Sequence, residues 1–260
     1  MNWIEVNGGG TRYALDGDGP APLVLIHEMG GSIESWAPLL PRVTEGRTVL
    51  RYDMRGFGDA SKLRGEGVMD DLVADLVALL DALSITGPAD LCGMAVGGAV
   101  ALHMAARHPD RVGRLALMGP ALGIAPERRA AVRARAEALE AGGMASIADG
   151  ELALTYPQVL RGNGRFPTYR ARWLGNDPAS YAATYRMLAA LDCAPALAVV
   201  RCPVLLLAGV HDPLRPPALI AEAATAIDRA RFEVVPSGHV MAHQSPDAVA
   251  QHLDAFWRTA

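Results

Sequence analysis

Two glycines frame a segment with the spacing of a catalytic turn, Gly93-Met94-Ala95-Val96-Gly97. A short apolar run precedes it and an alanine-rich helical stretch follows, which predicts the tight strand-to-helix turn of the pattern Gly-x-Ser-x-Gly. Such a turn projects its middle residue above the edge of a sheet, where a serine would act as a nucleophile. Here the middle residue is Ala95, which has no nucleophilic atom. The sequence therefore predicts a catalytic turn that lacks its reacting oxygen.

A candidate acid and a candidate base follow later in the chain. Asp212 comes just after the apolar run 204–208, and His239 comes just after the next predicted strand. Ligands and catalytic groups gather at the carboxyl ends of parallel strands. A lone aspartate is usually a turn former and a lone histidine usually a structural residue, but the order of turn, acid and base is that of a nucleophile triad. We expect His239 to accept a proton from a hydroxyl at position 95 and Asp212 to orient its imidazole.

The loop 27–32 follows another buried-type strand and contains Gly30 and Gly31. Acyl transfer needs two backbone N–H groups directed at the developing oxyanion. We expect Val96, the residue after the nucleophile position, to supply one and Met29 to supply the other; the alternative is a plain glycine turn. Glu28 places a carboxyl group beside this site, where it either binds substrate or water or pairs with a basic group elsewhere.

Apolar runs and helical periodicity alternate over most of the chain and predict an α/β fold with a mostly parallel sheet. An N-terminal hairpin over 4–15 is expected at the sheet edge. The further predicted strands are 23–26, 47–52, 89–92, 112–118, 203–208 and 231–235. The helices expected between them are 35–43, 69–83, 97–108, 217–227 and 246–257.

The alternation is interrupted between Gly119 and Val200, where only helix-like segments occur, over 126–141, 147–160 and 179–191. The sequence thus predicts a core formed by 1–118 and 201–260, with 119–200 as a helical cap inserted between them. A substrate pocket is expected between this insertion and the sheet edge.

These segments together resemble the α/β-hydrolase superfamily over essentially the whole chain. The resembling motifs are His27–Gly31, Asp53–Gly58, Gly93–Gly97, Gly209–Pro216 and Gly238–His239. Within the superfamily, the insertion is most similar to the 3-oxoadipate enol-lactonase group, through 141–149 and 176–184.

The resemblance implies an α/β-hydrolase fold and hydrolysis of small lactones or esters by Ser, His and Asp, without metal or cofactor. The sequence departs from the family pattern at Glu28, where relatives often have a small residue, and at Ala95, where the serine is expected. The insertion contains nine arginines and no lysine. Guanidinium groups suit carboxylate recognition, so this composition is compatible with a small anionic substrate. The alternative is a solvated helix face balanced by glutamates.

Three interpretations of Ala95 follow. The chain is a Ser-to-Ala variant of a working hydrolase, or a natural non-catalytic homologue that binds a ligand, or an enzyme that needs only His239 as a base. The third class includes a lyase, a carbon–carbon bond hydrolase and a cofactor-free oxygenase. The intact glycines, Asp212 and His239 favour the first interpretation, because drift usually erodes such partners together.

The bulk composition excludes several function classes. A net charge of −4 over 260 residues provides no basic surface for nucleic acid. Three cysteines without paired spacing indicate neither a disulfide framework nor a zinc site. The sequence lacks a signal-peptide pattern and an apolar run long enough for a membrane span. We expect a cytoplasmic protein with a small-molecule substrate; the oligomeric state stays open.

Overall fold

The computed structural model describes residues 1–258 as an eight-stranded sheet flanked by helices. The strand order is β1-β2-β4-β3-β5-β6-β7-β8. The strands are β1 (Asn2–Val6), β2 (Gly9–Asp16), β3 (Ala21–Ile26), β4 (Arg47–Tyr52), β5 (Ala89–Met94), β6 (Val112–Met118), β7 (Val204–Gly209) and β8 (Ala230–Val235). All eight were predicted from the sequence. The β1–β2 and β2–β4 pairs are antiparallel and the other pairs are parallel.

The helices are α1 (Leu40–Val43), α2 (Met69–Ala82), α3 (Val96–Arg107), α4 (Pro126–Gly142), α5 (Ala148–Thr155), α6 (Phe166–Leu174), α7 (Pro178–Ala190), α8 (Ala194–Val199), α9 (Pro217–Ala224), α10 (Met241–Gln244) and α11 (Pro246–Arg258). Short 3₁₀ turns occur at Ile33–Trp36, Pro109–Arg111, Met144–Ile147 and Gln158–Asn163.

The central strands form the core because their sequences are apolar on both faces. Leu23, Val24, Leu25 and Ile26 of β3 are fully buried between β4 and β5. Strands covered on both faces have such continuous apolar runs rather than alternation. In α2, the apolar positions at helical spacing are buried and the first-turn aspartates complement the helix dipole. The local pattern therefore accounts for both kinds of element.

Residues 119–200 contain α4 to α8 and no strand of the main sheet. The predicted helix 126–141 is confirmed as α4 and 179–191 as α7. Two predictions are wrong in detail: the helix expected over 147–160 ends at Thr155, and a single helix over 35–43 is instead a 3₁₀ turn followed by α1. Pro157 and Pro41 explain both, because proline cannot donate the hydrogen bond that a continuing helix requires.

Candidate active site

Ala95 occupies the turn between β5 and α3 in a conformation that L-residues rarely adopt, with φ of 52° and ψ of −113°. Its N–H donates to the carbonyl of Met118 at 3.0 Å, and its carbonyl accepts from the N–H of Ala121 at 2.9 Å. A non-glycine residue at positive φ costs on the order of 1–3 kcal/mol and is maintained only where the surroundings enforce it. The backbone at position 95 is thus held in place by hydrogen bonds on both sides.

The flanking glycines allow the close approach that this turn needs. A Cβ atom at Gly97 would lie 2.1 Å from the carbonyl oxygen of Ile26, and one at Gly93 would lie 2.3 Å from the carbonyl oxygen of Gly97. Both distances are far below van der Waals contact, so no larger residue fits without backbone movement. The two glycines are therefore required by the close packing of α3 against β3 and β5.

Asp212 and His239 meet at the same edge of the sheet because β7 and β8 run parallel. His239 Nδ1 lies 2.8 Å from Asp212 Oδ2, and the contact is buried. Asp212 Oδ1 accepts the backbone N–H groups of Leu214 at 2.9 Å and of Arg215 at 3.0 Å. Since an ionised carboxylate only accepts, Nδ1 carries the proton and Nε2 is left as the basic nitrogen. The structure brings the predicted acid and base into hydrogen-bond contact.

The pKa of Asp212 favours this arrangement. Burial alone raises it, but the His239 imidazole and the two backbone N–H groups more than offset burial, so the net pKa lies below its usual value. Asp212 therefore stays ionised at neutral pH and fixes the tautomer of His239.

His27 organises the loop after β3. Its Nδ1 lies 2.7 Å from the carbonyl oxygen of Glu28, and its Nε2 accepts the N–H of Met54 at 3.0 Å. Because Nε2 accepts, Nδ1 donates, and the ring is neutral; burial lowers the pKa of His27 and favours the same state. Asn176 Nδ2 also donates to the carbonyl of Gly30 at 3.0 Å. The loop that contains Met29 is thus fixed from the sheet and from the residues before α7.

Glu28 has its carboxylate buried behind the loop. Ser35 Oγ donates to Glu28 Oε1 at 2.9 Å, and Arg172 Nη2 lies 4.0 Å from the same oxygen. A Cβ atom at Gly31 would lie 2.5 Å from Glu28 Oε2, so the glycine leaves space for the carboxylate. Of the two expectations for Glu28, pairing with a basic group has a geometric partner in Arg172. Direct contact with substrate stays a prediction.

A cavity of about 130 Å³ joins the predicted site residues. Ala95, Val96, Met29, Glu28 and His239 contribute to its lining, and Asp212 lies behind His239. The opposite wall comes from α4 to α7 and the loop after Asp212; residues there include Arg128, Arg135, Tyr169, Tyr181, Tyr185 and Arg215. The pocket thus lies where it was expected, between the insertion and the sheet edge.

Two of the nine arginines in the insertion line the cavity. Arg128 and Arg135 lie on one face of α4, and Arg135 pairs with the buried carboxylate of Glu151. Sequence reasoning missed Arg215, which donates through Nε to the carbonyl of Pro120 at 3.1 Å. Burial lowers the pKa of Arg215; Asp212 raises it, and the nearby positive charge of Arg128 lowers it.

Sequence reasoning also missed the tyrosines. Tyr169, Tyr181 and Tyr185 are buried and line the cavity, and burial raises the pKa of each hydroxyl. The rings of Tyr181 and Tyr185 contact each other edge to face on α7, whereas the ring of Tyr169 on α6 packs against Tyr156 and His243. No periodic pattern distinguishes them from ordinary core aromatics, so the sequence carries no signal for this role.

Comparison with known proteins agrees with the fold. A sequence profile for the α/β hydrolase fold matches residues 21–141. The 3-oxoadipate enol-lactonase 2 of Acinetobacter baylyi (strain ATCC 33305 / BD413 / ADP1) is 27% identical over 95% of this chain and 92% of its own length. The 2-hydroxymuconate semialdehyde hydrolase of Pseudomonas sp. (strain CF600) is 39% identical, but over 45% of this chain and 43% of its own length. The chain covers only 32–44% of the length of the three curated relatives that share 37–39% identity over 45–46% of this chain.

The crystal structure of the enol-lactonase from Burkholderia xenovorans LB400 superposes with a TM-score of 0.92 at 29% identity, covering 99% of this chain and 100% of that one. An eight-stranded, mostly parallel sheet with a strand-turn-helix at Ala95 defines the class, and the chain has the α/β-hydrolase fold. Within that class it resembles enol-lactonases along almost its whole length. Among residues 1–258, no helix combines the length and apolar character needed to cross a membrane.

Proposed function

We propose that this chain carries the substrate pocket and the acid–base pair of a carboxylic-ester or lactone hydrolase, with Ala95 at the nucleophile position. The observation that carries the proposal is the 2.8 Å contact between His239 and Asp212 beside the cavity that Ala95 lines. Named hydrolases among the relatives support the reaction class. As it stands, the chain binds a small acyl substrate without an acyl-enzyme step.

The mechanism requires a serine hydroxyl at position 95. His239 Nε2 takes the hydroxyl proton as the serine oxygen bonds to the acyl carbon, and Asp212 stabilises the resulting imidazolium. The backbone N–H groups of Met29 and Val96 are the candidate donors to the oxyanion. The imidazolium then returns its proton to the leaving alkoxide, which yields the acyl-enzyme and the alcohol. Water repeats the sequence with His239 as base and releases the acid.

The cavity favours a small substrate with an anionic group. Its volume of about 130 Å³ is close to that of cavities that hold a benzene-sized ligand. Arg128 and Arg215 line it and repel each other, which a bound carboxylate would relieve. Apolar side chains such as Val132 and Leu188 suit a short hydrocarbon portion. We therefore propose a small ester or lactone that bears a carboxylate.

The methyl group of Ala95 cannot form the acyl-enzyme bond. Loss of the nucleophile from a triad that acts as a unit costs on the order of a millionfold in turnover. The turn conformation, the flanking glycines and the acid–base pair all fit a serine at this position. These features support the interpretation of the chain as a Ser-to-Ala variant of a working hydrolase.

The decisive experiment is Ala95→Ser, assayed with p-nitrophenyl esters and with small lactones with and without a carboxylate. We expect hydrolysis to rise by several orders of magnitude over the chain with Ala95. The matched control is Ala95→Ser combined with His239→Ala, which keeps the hydroxyl but removes its base. A folded Ala95→Ser protein with no activity on any of these substrates would contradict the proposal.

A second candidate function rests on the intact acid–base pair. His239 keeps a buried hydrogen-bonded carboxylate although position 95 has no hydroxyl. That geometry suits His-dependent proton abstraction, as in a lyase, a carbon–carbon bond hydrolase or a cofactor-free oxygenase. Turnover by the chain with Ala95, abolished by His239→Ala, would favour this candidate. Ligand binding without turnover in either protein would favour a non-catalytic binding module.

A further inference from the structure

Gln244 is a buried amide close to the candidate base. It is the last residue of α10, five positions after His239, and its relative exposure is 5%. No step of the proposed reaction uses it. Both ends of its side chain nevertheless have partners, and these partners belong to different parts of the fold.

One end of the amide holds the loop that carries His239. Gln244 Oε1 accepts the backbone N–H of Gly238 at 3.0 Å, and the hydroxyl of Ser237 donates to the same oxygen at 3.4 Å. Gly238 immediately precedes His239 in the chain. The peptide next to the base is therefore fixed by the Gln244 side chain.

The other end of the amide reaches the helical insertion. Gln244 Nε2 donates to the carbonyl oxygen of Thr155 at 2.9 Å. Thr155 is the last residue of α5 and lines the cavity. A single side chain thus connects the peptide beside His239 with the wall of the substrate pocket.

Residues that follow α5 in the insertion also pack close to Gly238. A Cβ atom at Gly238 would lie 2.9 Å from Gln244 Oε1, 3.0 Å from Pro157 Cδ and 3.1 Å from Leu160 Cδ1. The segment after α5 therefore packs against the same peptide that the amide binds. Movement of this segment away from the sheet would break the Thr155 contact and free the His239 loop.

We propose that Gln244 is a positioning residue: it sets His239 relative to position 95 and couples that placement to the helical insertion. The inference rests on the proposed function, because the base matters only if position 95 can carry a nucleophile or the pocket a substrate. A displacement of about 1 Å at a catalytic group can cost roughly a hundredfold in rate. The position of the insertion over the pocket then sets the competence of the base.

The test replaces Gln244 by methionine, which has similar length but neither donor nor acceptor. In the Ala95→Ser background we expect kcat to fall about tenfold or more, with KM within about threefold. The matched control is Ser245→Ala, which removes a 2.8 Å bond to Pro236 of the same loop without touching the insertion. It should leave kcat within about twofold, since an exposed hydrogen bond contributes little.

A second readout uses the chain with Ala95 and needs no activity. The His239 Nδ1–H proton bonded to Asp212 is observed by proton NMR and assigned with His239→Ala. We expect Gln244→Met to broaden or shift this signal, whereas Ser245→Ala leaves it unchanged. This readout separates failure of the inference from failure of the proposed function, because it does not depend on turnover.

The inference is overturned if folded Gln244→Met keeps both kcat and the His239 signal, or if Ser245→Ala lowers kcat equally. Folding is checked by circular dichroism and thermal unfolding. If the methionine variant does not fold, Gln244→Glu is measured in the same two ways. Glutamate keeps an acceptor for the N–H of Gly238 but places a carboxylate oxygen, which cannot donate, next to the carbonyl oxygen of Thr155. Unchanged kcat and an unchanged His239 signal in this variant would equally overturn the inference.

Discussion

The turn at Ala95 and the loops that carry Asp212 and His239 lie at the same sheet edge but are maintained differently. Backbone hydrogen bonds and glycine contacts hold the turn, and they do not involve the side chain at position 95. Side-chain hydrogen bonds from Asp212, His239 and Gln244 hold the loops. The turn therefore keeps its shape with alanine at position 95. The acid–base pair depends on each of its side chains.

The largest expected effect is on the side-chain-dependent pair. In the Ala95→Ser background, Asp212→Asn should lower kcat by about 10⁴-fold, because the amide no longer fixes the correct tautomer of His239. Steady-state hydrolysis of a p-nitrophenyl ester measures this. Asp192→Asn serves as the control, since within residues 1–258 the Asp192 side chain bonds only to the N–H of Ala194 in an exposed loop. Equal kcat in both variants would show that the Asp212 contact does not matter for the reaction.

Substitution of a glycine in the turn at Ala95 should instead lower the stability of the fold. We expect Gly97→Ala to lower the free energy of unfolding by about 4 kcal/mol, because its Cβ would lie 2.1 Å from the Ile26 carbonyl oxygen. Urea unfolding measures the change. Gly150→Ala is the control: it lies within α5 with no atom within 4 Å of its Cβ position, and should stabilise by about 0.5–1 kcal/mol. Comparable stability of the two variants would refute the role assigned to glycine packing.

The buried His243 in α10, four positions after His239, adds a pH-dependent effect on stability. Burial, with the charges of Arg172 and Arg165, lowers the pKa of His243 to about 4. Because the folded pKa lies below the unfolded value of about 6.5, the unfolded state alone binds a proton between these values. The free energy of unfolding should therefore fall as pH falls from about 6.5 to 4, by up to about 3 kcal/mol from this residue.

Urea unfolding of the unmodified chain and of His243→Phe at pH 7 and pH 4.5 tests this. Phenylalanine keeps the ring contacts with Tyr156 and Tyr169 but cannot titrate. We expect the free energy of unfolding to fall less for His243→Phe than for the unmodified chain when the pH is lowered from 7 to 4.5. An identical difference at both pH values would exclude His243 as a source of the pH dependence.

The smallest expected effect is at position 95 itself. Ala95→Gly should raise the free energy of unfolding by about 1 kcal/mol, because glycine adopts a φ of 52° without strain. Ala99→Gly, in the helix α3 that follows, should have the opposite sign, since glycine is unfavourable within a helix. Thermal unfolding compares them. If Ala95→Gly is destabilising, the turn is not strained and its shape depends on the alanine methyl group.

Local pattern was sufficient for most of the fold. Apolar runs predicted the central strands, and loose alternation predicted the N-terminal hairpin. The order of Ala95, Asp212 and His239 predicted which side chains share one sheet edge, because parallel strands bring their carboxyl ends together. Helices α6 and α8 were missed since neither has a clear amphipathic pattern; α8 has only six residues. Their limits depend on packing within the insertion.

The sequence by itself determined the strands, the turn at Ala95 and the pairing of Asp212 with His239, because periodicity, glycine spacing and strand order are local or follow from parallel pairing. Only the tertiary structure decided that Glu28 faces Arg172, that Arg215 enters the cavity and that Gln244 connects Gly238 with Thr155. Gln244 and Thr155 are 89 positions apart, and Glu28 and Arg172 lie on different elements. Such contacts arise from how the helical insertion packs on the sheet, which no local pattern encodes.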